Sequence, residues 1–301
     1  MDLSVVVPTL NGRDQLGDCL DALTATAPDA EVIVVNGPSA DGTTGMVQGR
    51  DDVAALVELS DRNVNVARNA GAAAATGETV AFVSYDRSVE SSWRSTLAAS
   101  VEAGGAVVTG PTHRELRAGM TTESEESRAI GGREVTYFNR DNVAFRRSAL
   151  EAIDGFDERI AVGGARDAAH RLAGLEYDVD WCGGMSVRSS YSTDGGDTAT
   201  DWGAKYRSLS YRLFKNYGLR PTVVRRVVSH ACGDAYGNGR AALRGDAKPS
   251  GWFANGKDVL VGTVGGVRSG LAARARDRDP RRNPYGLSAR SDRAVTTYDW
   301  R

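Results

Sequence analysis

Short apolar runs alternate with helical patterns over the first 86 residues of the chain. The runs are rich in β-branched residues and occupy positions 3–7, 31–35, 53–59 and 80–83. In the segments between them, apolar residues recur at helical spacing. Strands that alternate with helices in this way predict an α/β fold, a doubly wound and mostly parallel sheet with right-handed crossovers.

The fourth run is followed at once by polar residues. Positions 79–83 read TVAFV, and Ser84, Tyr85 and Asp86 come next. An unbroken apolar run is typical of a strand buried on both faces. In open α/β sheets the ligand crevice lies beyond the carboxyl ends of the strands. We therefore expect the carboxylate of Asp86 at the edge of a ligand crevice.

The chain has 301 residues, of which 41% are hydrophobic and 25% are charged. A globular chain of this length accommodates one large α/β domain with an appendage. We assign three units to it: the two halves of a core domain, residues 1–110 and 111–200, and a helical C-terminal region, residues 201–301. Within the second half, the polar segment 112–133 predicts a loop, and residues 180–187 predict the last strand.

The cysteines and the N-terminus indicate the cellular compartment of the protein. Cys19, Cys182 and Cys232 are widely separated and show no metal-ligand spacing, which is typical of unpaired thiols in a reducing compartment. The N-terminus has neither a basic segment nor a long apolar one, and no apolar run approaches the roughly 18 residues of a spanning helix. These features predict a cytoplasmic protein.

Basic residues concentrate at the end of the chain. Residues 205–301 hold 20 of the 37 lysines and arginines but only 7 of the 39 acidic residues. Such a surplus predicts an anionic partner, and no nucleic-acid-binding motif accompanies it. In the predicted helix 202–217, basic residues alternate with aromatic ones, a pattern that favours binding to a membrane surface. The alternative is a helix docked on the domain with a solvated basic face. We expect residues 274–293 to be extended or partly disordered.

Several stretches together resemble the family 2 glycosyltransferases, which have the GT-A fold. The sequence VVVPTLN at 5–11 resembles their first strand and nucleotide loop, and ARNAG at 67–71 is the most specific match. Residues 81–86, AFVSYD, occupy the position of the Asp-X-Asp motif. GFDE at 155–158 and RDAAHRL at 166–172 resemble the acceptor half. The segment after Trp202 is similar to a subset that acts on lipid-linked sugars in archaeal surface-glycan pathways.

This resemblance implies an inverting transfer of a sugar from a nucleotide sugar, foremost a UDP-sugar. It implies as acceptor a glycan linked to polyprenyl or dolichyl phosphate, as in protein N-glycosylation, at the inner face of the cell membrane. Asp86 would hold Mg²⁺ or Mn²⁺, since hard cations take carboxylate and phosphate oxygens. The residues implied in nucleotide-sugar binding are Thr9, Asn11, Arg13, Asn36, Asp41 and Arg68.

The acceptor half supplies the implied base. Asp167 would take the proton of the acceptor hydroxyl, and its alternative is a helix-start carboxylate stabilised by the helix dipole. Arg166 stands where the family has an acidic residue, so it would hold an anionic donor sugar, such as a hexuronic acid, or the acceptor phosphate. His170, on the same helical face as Asp167, would contact the same acceptor or donor anion, and a solvated or core histidine is its alternative.

Two departures from the family pattern support a second hypothesis. Ser84 replaces the first carboxylate of Asp-X-Asp, and Asn36 replaces an aspartate after the second strand. Both replacements remove a negative charge from the implied donor site. The alternative function is therefore a catalytically weak GT-A scaffold that binds glycan or partner enzymes.

Overall fold

A computed structural model of the protein describes residues 1–116, 119–189, 201–243 and 249–301. Its first part alternates strands and helices as predicted. The strands are β1 (Leu3–Thr9), β2 (Glu31–Asn36), β3 (Ala55–Leu59) and β4 (Thr79–Val83), and the helices between them are α1 (Arg13–Thr26), α2 (Thr43–Gln48) and α3 (Val64–Ala74).

The middle of the chain adds short strands and three helices. In chain order they are β5 (Ser88–Val89), α4 (Trp93–Glu102), β6 (Val107–Thr109), β7 (Thr112–Leu116), β8 (Gly119–Thr122), β9 (Glu126–Ile130), β10 (Arg133–Tyr137), β11 (Asn142–Arg146), α5 (Arg147–Ala152), α6 (Gly164–Gly174), β12 (Asp180–Trp181) and β13 (Val187–Ser189). The C-terminal part holds α7 (Trp202–Tyr217), α8 (Pro221–Leu243), α9 (Pro249–Arg276), a 3-10 turn (Leu287–Ala289) and β14 (Ala294–Asp299).

The strands form a central sheet in the order β12-β6-β11-β4-β1-β2-β3-β14. β4, β1, β2 and β3 pair in parallel, while β11 runs antiparallel between β4 and β6. All five residues of β4 are buried, because apolar side chains cover both faces of the sheet. Phe82 packs with Phe145 and Phe156 on one face, and Leu16 and Trp93 belong to the core on the other. The predicted α/β sheet is thus confirmed.

Two predictions for the middle of the chain are wrong. The expected loop 112–133 instead forms the hairpins β7–β8 and β9–β10, in which the backbone groups of a polar segment pair with one another. The expected strand 180–187 is broken into β12 and β13. Between these two strands, the amide of Met185 bonds to the carbonyl of Cys182 at 3.0 Å, which closes a turn.

The basic face of α7 is not a free amphipathic surface. Its aromatic residues Tyr206, Phe214 and Tyr217 lie in the main core, and α9 packs along the helix. The backbones approach closely, since a Cβ added at Gly266 would lie 2.3 Å from the carbonyl oxygen of Arg207. The helix is docked on the domain, as the alternative states, but its basic face is not solvated throughout, because Lys215 is fully buried. The expectation that α7 itself binds a membrane surface is wrong, because its apolar side chains are already buried.

The segment after α9 is ordered rather than disordered. Arg293 is 6% exposed and pairs with Glu158 at 2.5 Å, and Asn283 donates a hydrogen bond of 2.8 Å to the carbonyl of Asp154. β14 then pairs antiparallel with β3 and completes the sheet. The expected unit boundary at residue 200 falls outside the described residues. The C-terminal region is helical over α7, α8 and α9, and its last strand joins the central sheet, so the division of the chain into units stays a prediction.

Within the described part of the chain, none of the helices has the length and apolarity needed to cross a membrane.

Candidate active site

A cavity of about 1190 Å³ opens at the carboxyl ends of β1 and β4. Thr9, Ser84 and Tyr85 line it from the sheet. The opposite wall comes from the start of α6 and from α7, with Arg166 and Arg212 among its residues. The polar strand ends and the helices that cover them thus enclose a crevice where α/β sheets bind ligands.

Two of the six expected donor-binding residues form part of the cavity wall. Thr9 Oγ1 is buried and has no hydrogen-bond partner among the described residues. Arg68 extends from α3, donates to the carbonyl of Arg140 at 2.7 Å and stacks 5.1 Å from the ring centroid of Phe156. Burial lowers the pKa of Arg68 to about 10. Of the two groups, Thr9 Oγ1 lacks a partner among the described residues, whereas Arg68 also donates to Asn65 Oδ1 at 3.3 Å.

The other four residues join two loops beside the cavity. Asn11, in the left-handed region with φ 52°, accepts a hydrogen bond of 2.8 Å from the amide of Ala40. Asp41 accepts from the amide of Arg13 at 3.0 Å, and a hydrogen bond from Thr43 lowers the pKa of Asp41.

Asn36 is buried in the same junction. Its side chain bonds Thr44 at 3.1 Å and Ser39 at 2.7 Å. These contacts fix the loops that follow β1 and β2, so the role of the four junction residues toward a nucleotide stays a prediction.

Asp86 forms an ion pair with the next residue of the chain, Arg87. Its Oδ2 lies 2.7 Å from Nη1 of Arg87, and Nη2 of Arg87 lies 3.2 Å from Asp141. Asp86 Oδ1 is buried and has no hydrogen-bond partner within the described residues. The described residues contain no group of three metal-ligating side chains. One orphaned carboxylate oxygen nevertheless fits a hard divalent cation whose other ligands are phosphate oxygens and water.

Asp167 does not reach the cavity. Its side chain is fully buried, and its Oδ2 lies 2.7 Å from Lys215 Nζ and 2.9 Å from Arg171 Nε. Although burial acts in the opposite direction, these two cations and the hydrogen bond from Asn216 lower its pKa to about 2. A sealed carboxylate with a low pKa is a poor base, so the expected position of Asp167 at the acceptor is wrong for this structure.

The first turn of α6 explains why Asp167 points inward. Gly163 has φ +86°, a conformation that favours glycine, and it caps the helix without a side chain. A Cβ added at Gly164 would lie 2.4 Å from the amide of Asn65, so α6 approaches α3 as only glycine allows. The cavity wall therefore includes Gly163, Gly164 and Ala165. The side chain of Asp167 points instead toward Arg171, which lies one helical turn further along α6.

His170 and Arg166 differ in their placement. His170 is 1% exposed, its Nδ1 lies 2.9 Å from the hydroxyl of Tyr217, and burial lowers its pKa to about 3. It is thus a neutral core histidine, and its expected contact with an anion is wrong. Arg166 does line the cavity, where it pairs with Glu126 at 2.7 Å and stacks 4.4 Å from the ring centroid of Tyr137.

Sequence reasoning missed two residues of this cavity. Asp141 lies beside the end of β4, since its carbonyl accepts the amide of Ser84 at 3.0 Å, and its carboxylate is 14% exposed. Arg212 lines the cavity from α7. Both were hidden because the polar loop before β11 and the basic pattern of α7 give no sign of which side chains turn inward.

Comparison with known proteins identifies the family of the chain. The model of glycosyl transferase family 2 matches residues 4–154, half of the chain. The chain belongs to this family. The match runs from β1 through α5 and includes the sheet side of the cavity, so the predicted family is confirmed.

Two curated relatives match parts of the chain. Glycosyltransferase AglE of Haloferax volcanii is 26% identical over 203 residues, which are 60% of this chain and 66% of the relative. The uncharacterized glycosyltransferase YibD of Escherichia coli is 33% identical over 99 residues, 32% of this chain and 29% of the relative. The matches thus span less than two thirds of either relative.

Solved structures agree with the fold. The mannosyltransferase PcManGT from Pyrobaculum calidifontis, in complex with GDP-Man and Mn²⁺, has a TM-score of 0.54 and 19% identity, with coverage of 88% of this chain and 87% of that one. S. aureus TarS 1–349 in complex with UDP-GlcNAc has a TM-score of 0.62 and 16% identity, covering 94% and 90%. The GT-A fold predicted from the sequence is thereby confirmed.

Proposed function

We propose that this protein transfers a sugar from a nucleotide sugar to a lipid-linked acceptor, with inversion at the anomeric carbon. The observation that carries the proposal is the cavity at the ends of β1 and β4, which places the unpaired hydroxyl of Thr9 and the guanidinium of Arg68 opposite a cationic wall within a family 2 domain. Structural neighbours in complex with UDP-GlcNAc and with GDP-Man support a nucleotide sugar as donor.

On the donor side, Thr9 and Arg68 would hold the nucleotide sugar. Arg68 supplies positive charge for a diphosphate, and Thr9 Oγ1 supplies an uncommitted hydrogen-bonding group. Asp86 Oδ1 would hold Mg²⁺ or Mn²⁺, and Mn²⁺ in the complex of the mannosyltransferase supports this assignment. When bound, such a cation offsets the charge that develops on the departing diphosphate.

On the acceptor side, Asp141 replaces Asp167 as the proposed base. The acceptor hydroxyl oxygen would bond to the anomeric carbon as the bond from that carbon to the diphosphate oxygen breaks. Asp141 would take the hydroxyl proton, because its carboxylate lines the cavity and is 14% exposed, unlike the sealed Asp167, although Arg87 at 3.2 Å and Arg140 at 3.4 Å also contact it.

The lipid of the acceptor and the membrane surface would meet the protein at α8. Leu219, Val224 and Val228 are 72%, 40% and 53% exposed, and Val224, Arg225 and Val228 share one face of the helix. An apolar surface with basic residues suits an anionic bilayer, where each arginine contributes about 1 kcal/mol. The proposed location is therefore peripheral, on the inner face of the cell membrane.

A second candidate function is a GT-A scaffold that binds glycan without efficient transfer. The specific observation in its favour is the locked Asp167, which leaves the first turn of α6 without a carboxylate in the cavity. Turnover of a nucleotide sugar separates the two functions, since a scaffold would bind the donor and leave it intact.

Nucleotide binding tests the proposal directly. Thermal denaturation with UDP and GDP sugars, each with and without Mn²⁺, should show a rise in Tm that requires both the nucleotide and the cation. An unchanged Tm for every nucleotide sugar in the presence of Mn²⁺ would refute the donor site.

A further inference from the structure

Arg212 is an unpaired cation in the cavity wall. It extends from α7, and a Cβ built on Gly163 would lie 2.7 Å from its Nη1, so the guanidinium contacts the start of α6. Its Nε is buried without a hydrogen-bond partner, and the side chain forms no ion pair with any described residue. Burial lowers its pKa to about 10.

The surroundings of Arg212 do not supply the missing anion. Arg166, Lys205 and His230 line the same cavity. Glu126 is already paired with Arg166 at 2.7 Å, and Lys205 is paired with Asp234 at 2.7 Å. Tyr137 and Asp167 raise the pKa of Arg212 while Arg166 and Arg226 lower it, and the carboxylate of Asp167 is already paired with Lys215 at 2.7 Å and Arg171 at 2.9 Å. This end of the cavity therefore carries uncompensated positive charge.

An unpaired charge in a partly buried site destabilises a fold, and a methionine of similar length would avoid that cost. The neighbouring first turn of α6 adds to the positive potential. Gly163 offers no side-chain cap, so the first amides of this 11-residue helix have no side-chain acceptor. Both features gain a partner only when an anion enters the cavity.

We infer that Arg212 and the first turn of α6 form a subsite for an anionic group, a carboxylate or a phosphate, on the sugar acceptor. The inference rests on the proposed function, because it places the acceptor opposite the donor. Thr9 and Ser84 line the cavity at the strand ends, whereas Arg212 belongs to the helical wall. Arg166 plays a lesser part, since Glu126 already offsets its charge.

The test uses the full-length protein saturated with UDP and Mn²⁺, so that added phosphate cannot occupy the donor site. Tm is measured with inorganic phosphate, with D-glucuronate, with sodium chloride at matched ionic strength and with D-glucose. Wild type should gain about 2 °C or more from phosphate, glucuronate or both, relative to chloride and glucose. A response to one anion alone identifies a phosphate or a carboxylate as the acceptor group.

Two variants assign the effect to Arg212. Arg212→Met should lose the response to anions and should be at least as stable as wild type without them, since it removes an unpaired charge. Arg207→Met is the matched control, because Arg207 is an exposed arginine of the same helix outside the cavity. It should respond to anions as wild type does.

Three results would overturn the inference. They are a wild type that responds to neither anion, an Arg212→Met protein that responds as wild type does, and an Arg212→Met protein whose Tm falls by more than about 2 °C, which would reveal an internal partner of the guanidinium. Failure of the proposed function looks different, because UDP with Mn²⁺ would then leave the Tm of wild type unchanged before any anion is added.

Discussion

Lys215 Nζ lies 2.7 Å from Asp167 Oδ2, and both side chains are fully buried. The same ammonium lies 2.6 Å from Asp157, which also accepts the hydroxyl of Tyr211 at 2.8 Å. The cluster ties α6 and α7 to the loop that precedes α6. The family resemblance assigns the carboxylate of Asp167 to catalysis. In this structure the same carboxylate links α6 to α7.

Removing the ammonium should destabilise the protein strongly. Lys215→Met leaves Asp157 and Asp167 as buried carboxylates that have lost a cation, so the free energy of unfolding should fall by about 3–5 kcal/mol. Urea denaturation measures the change. The control is Lys257→Met, an exposed lysine of α9, which should change stability by less than about 0.5 kcal/mol. Equal stability of the two variants would show that the cluster is not structural.

Turnover should separate Asp141 from Asp167. Asp141→Asn should lower kcat by about 10²–10⁴-fold while nucleotide binding persists, because the proposed base is lost. Asp167→Asn should unfold more easily, yet it should retain kcat per folded molecule. Kinetics normalised to the folded fraction measure both effects. The opposite pattern, with kcat lost only in Asp167→Asn, would restore Asp167 as the base and require α6 to rearrange.

Stability should fall in acid partly through His170. Burial holds its pKa at about 3, below the ordinary value of 6.5, so the native state stays neutral where the unfolded chain takes up a proton. The free energy of unfolding should therefore decrease as pH falls from about 6.5 to 3, by up to about 1.4 kcal/mol per pH unit. His170→Gln should flatten this slope in urea titrations relative to wild type. An unchanged slope in His170→Gln would contradict the assigned burial.

The exposed face of α8 should govern vesicle binding. Replacing Leu219, Val224 and Val228 by serine removes the apolar contribution at the proposed interface, so co-sedimentation with anionic vesicles should fall about tenfold or more. Val295→Ser is the control, because Val295 is an exposed valine on the distant edge strand β14. Binding that is equal in the triple variant and wild type would exclude this face.

The sequence was sufficient for the sheet and for the family, because local patterns carry both. The buried run of β4 and the cap of α3 at Asn63, which accepts the amide of Asn65 at 2.9 Å, depend on nearby residues. Side-chain direction at the site was not predictable. Asp167 and His170 face the core since α7 brings Lys215 and Tyr217 to them, partners about 48 positions along the chain.

The prediction of disorder in residues 274–293 was wrong for a related reason. Residues 274–293 contain few large apolar side chains, which favoured disorder, but polar contacts order them instead. Arg290 and Arg293 both form ion pairs with Glu158, and the hydroxyl of Ser288 donates a hydrogen bond to the carboxylate of Asp154. Hydrogen bonds between residues more than 130 positions apart in the sequence leave no signal in the composition of the segment itself.

Cation-dependent turnover in wild type and in Asp86→Ala measures whether Asp86 holds the divalent cation. With a nucleotide sugar that raises Tm, wild type should release the nucleotide in a reaction that requires Mn²⁺ or Mg²⁺. Asp86→Ala should lose about 100-fold or more of this activity, and Asp21→Ala, at an exposed carboxylate of α1, should lose none. Full cation-dependent turnover in Asp86→Ala would contradict the assignment of the site.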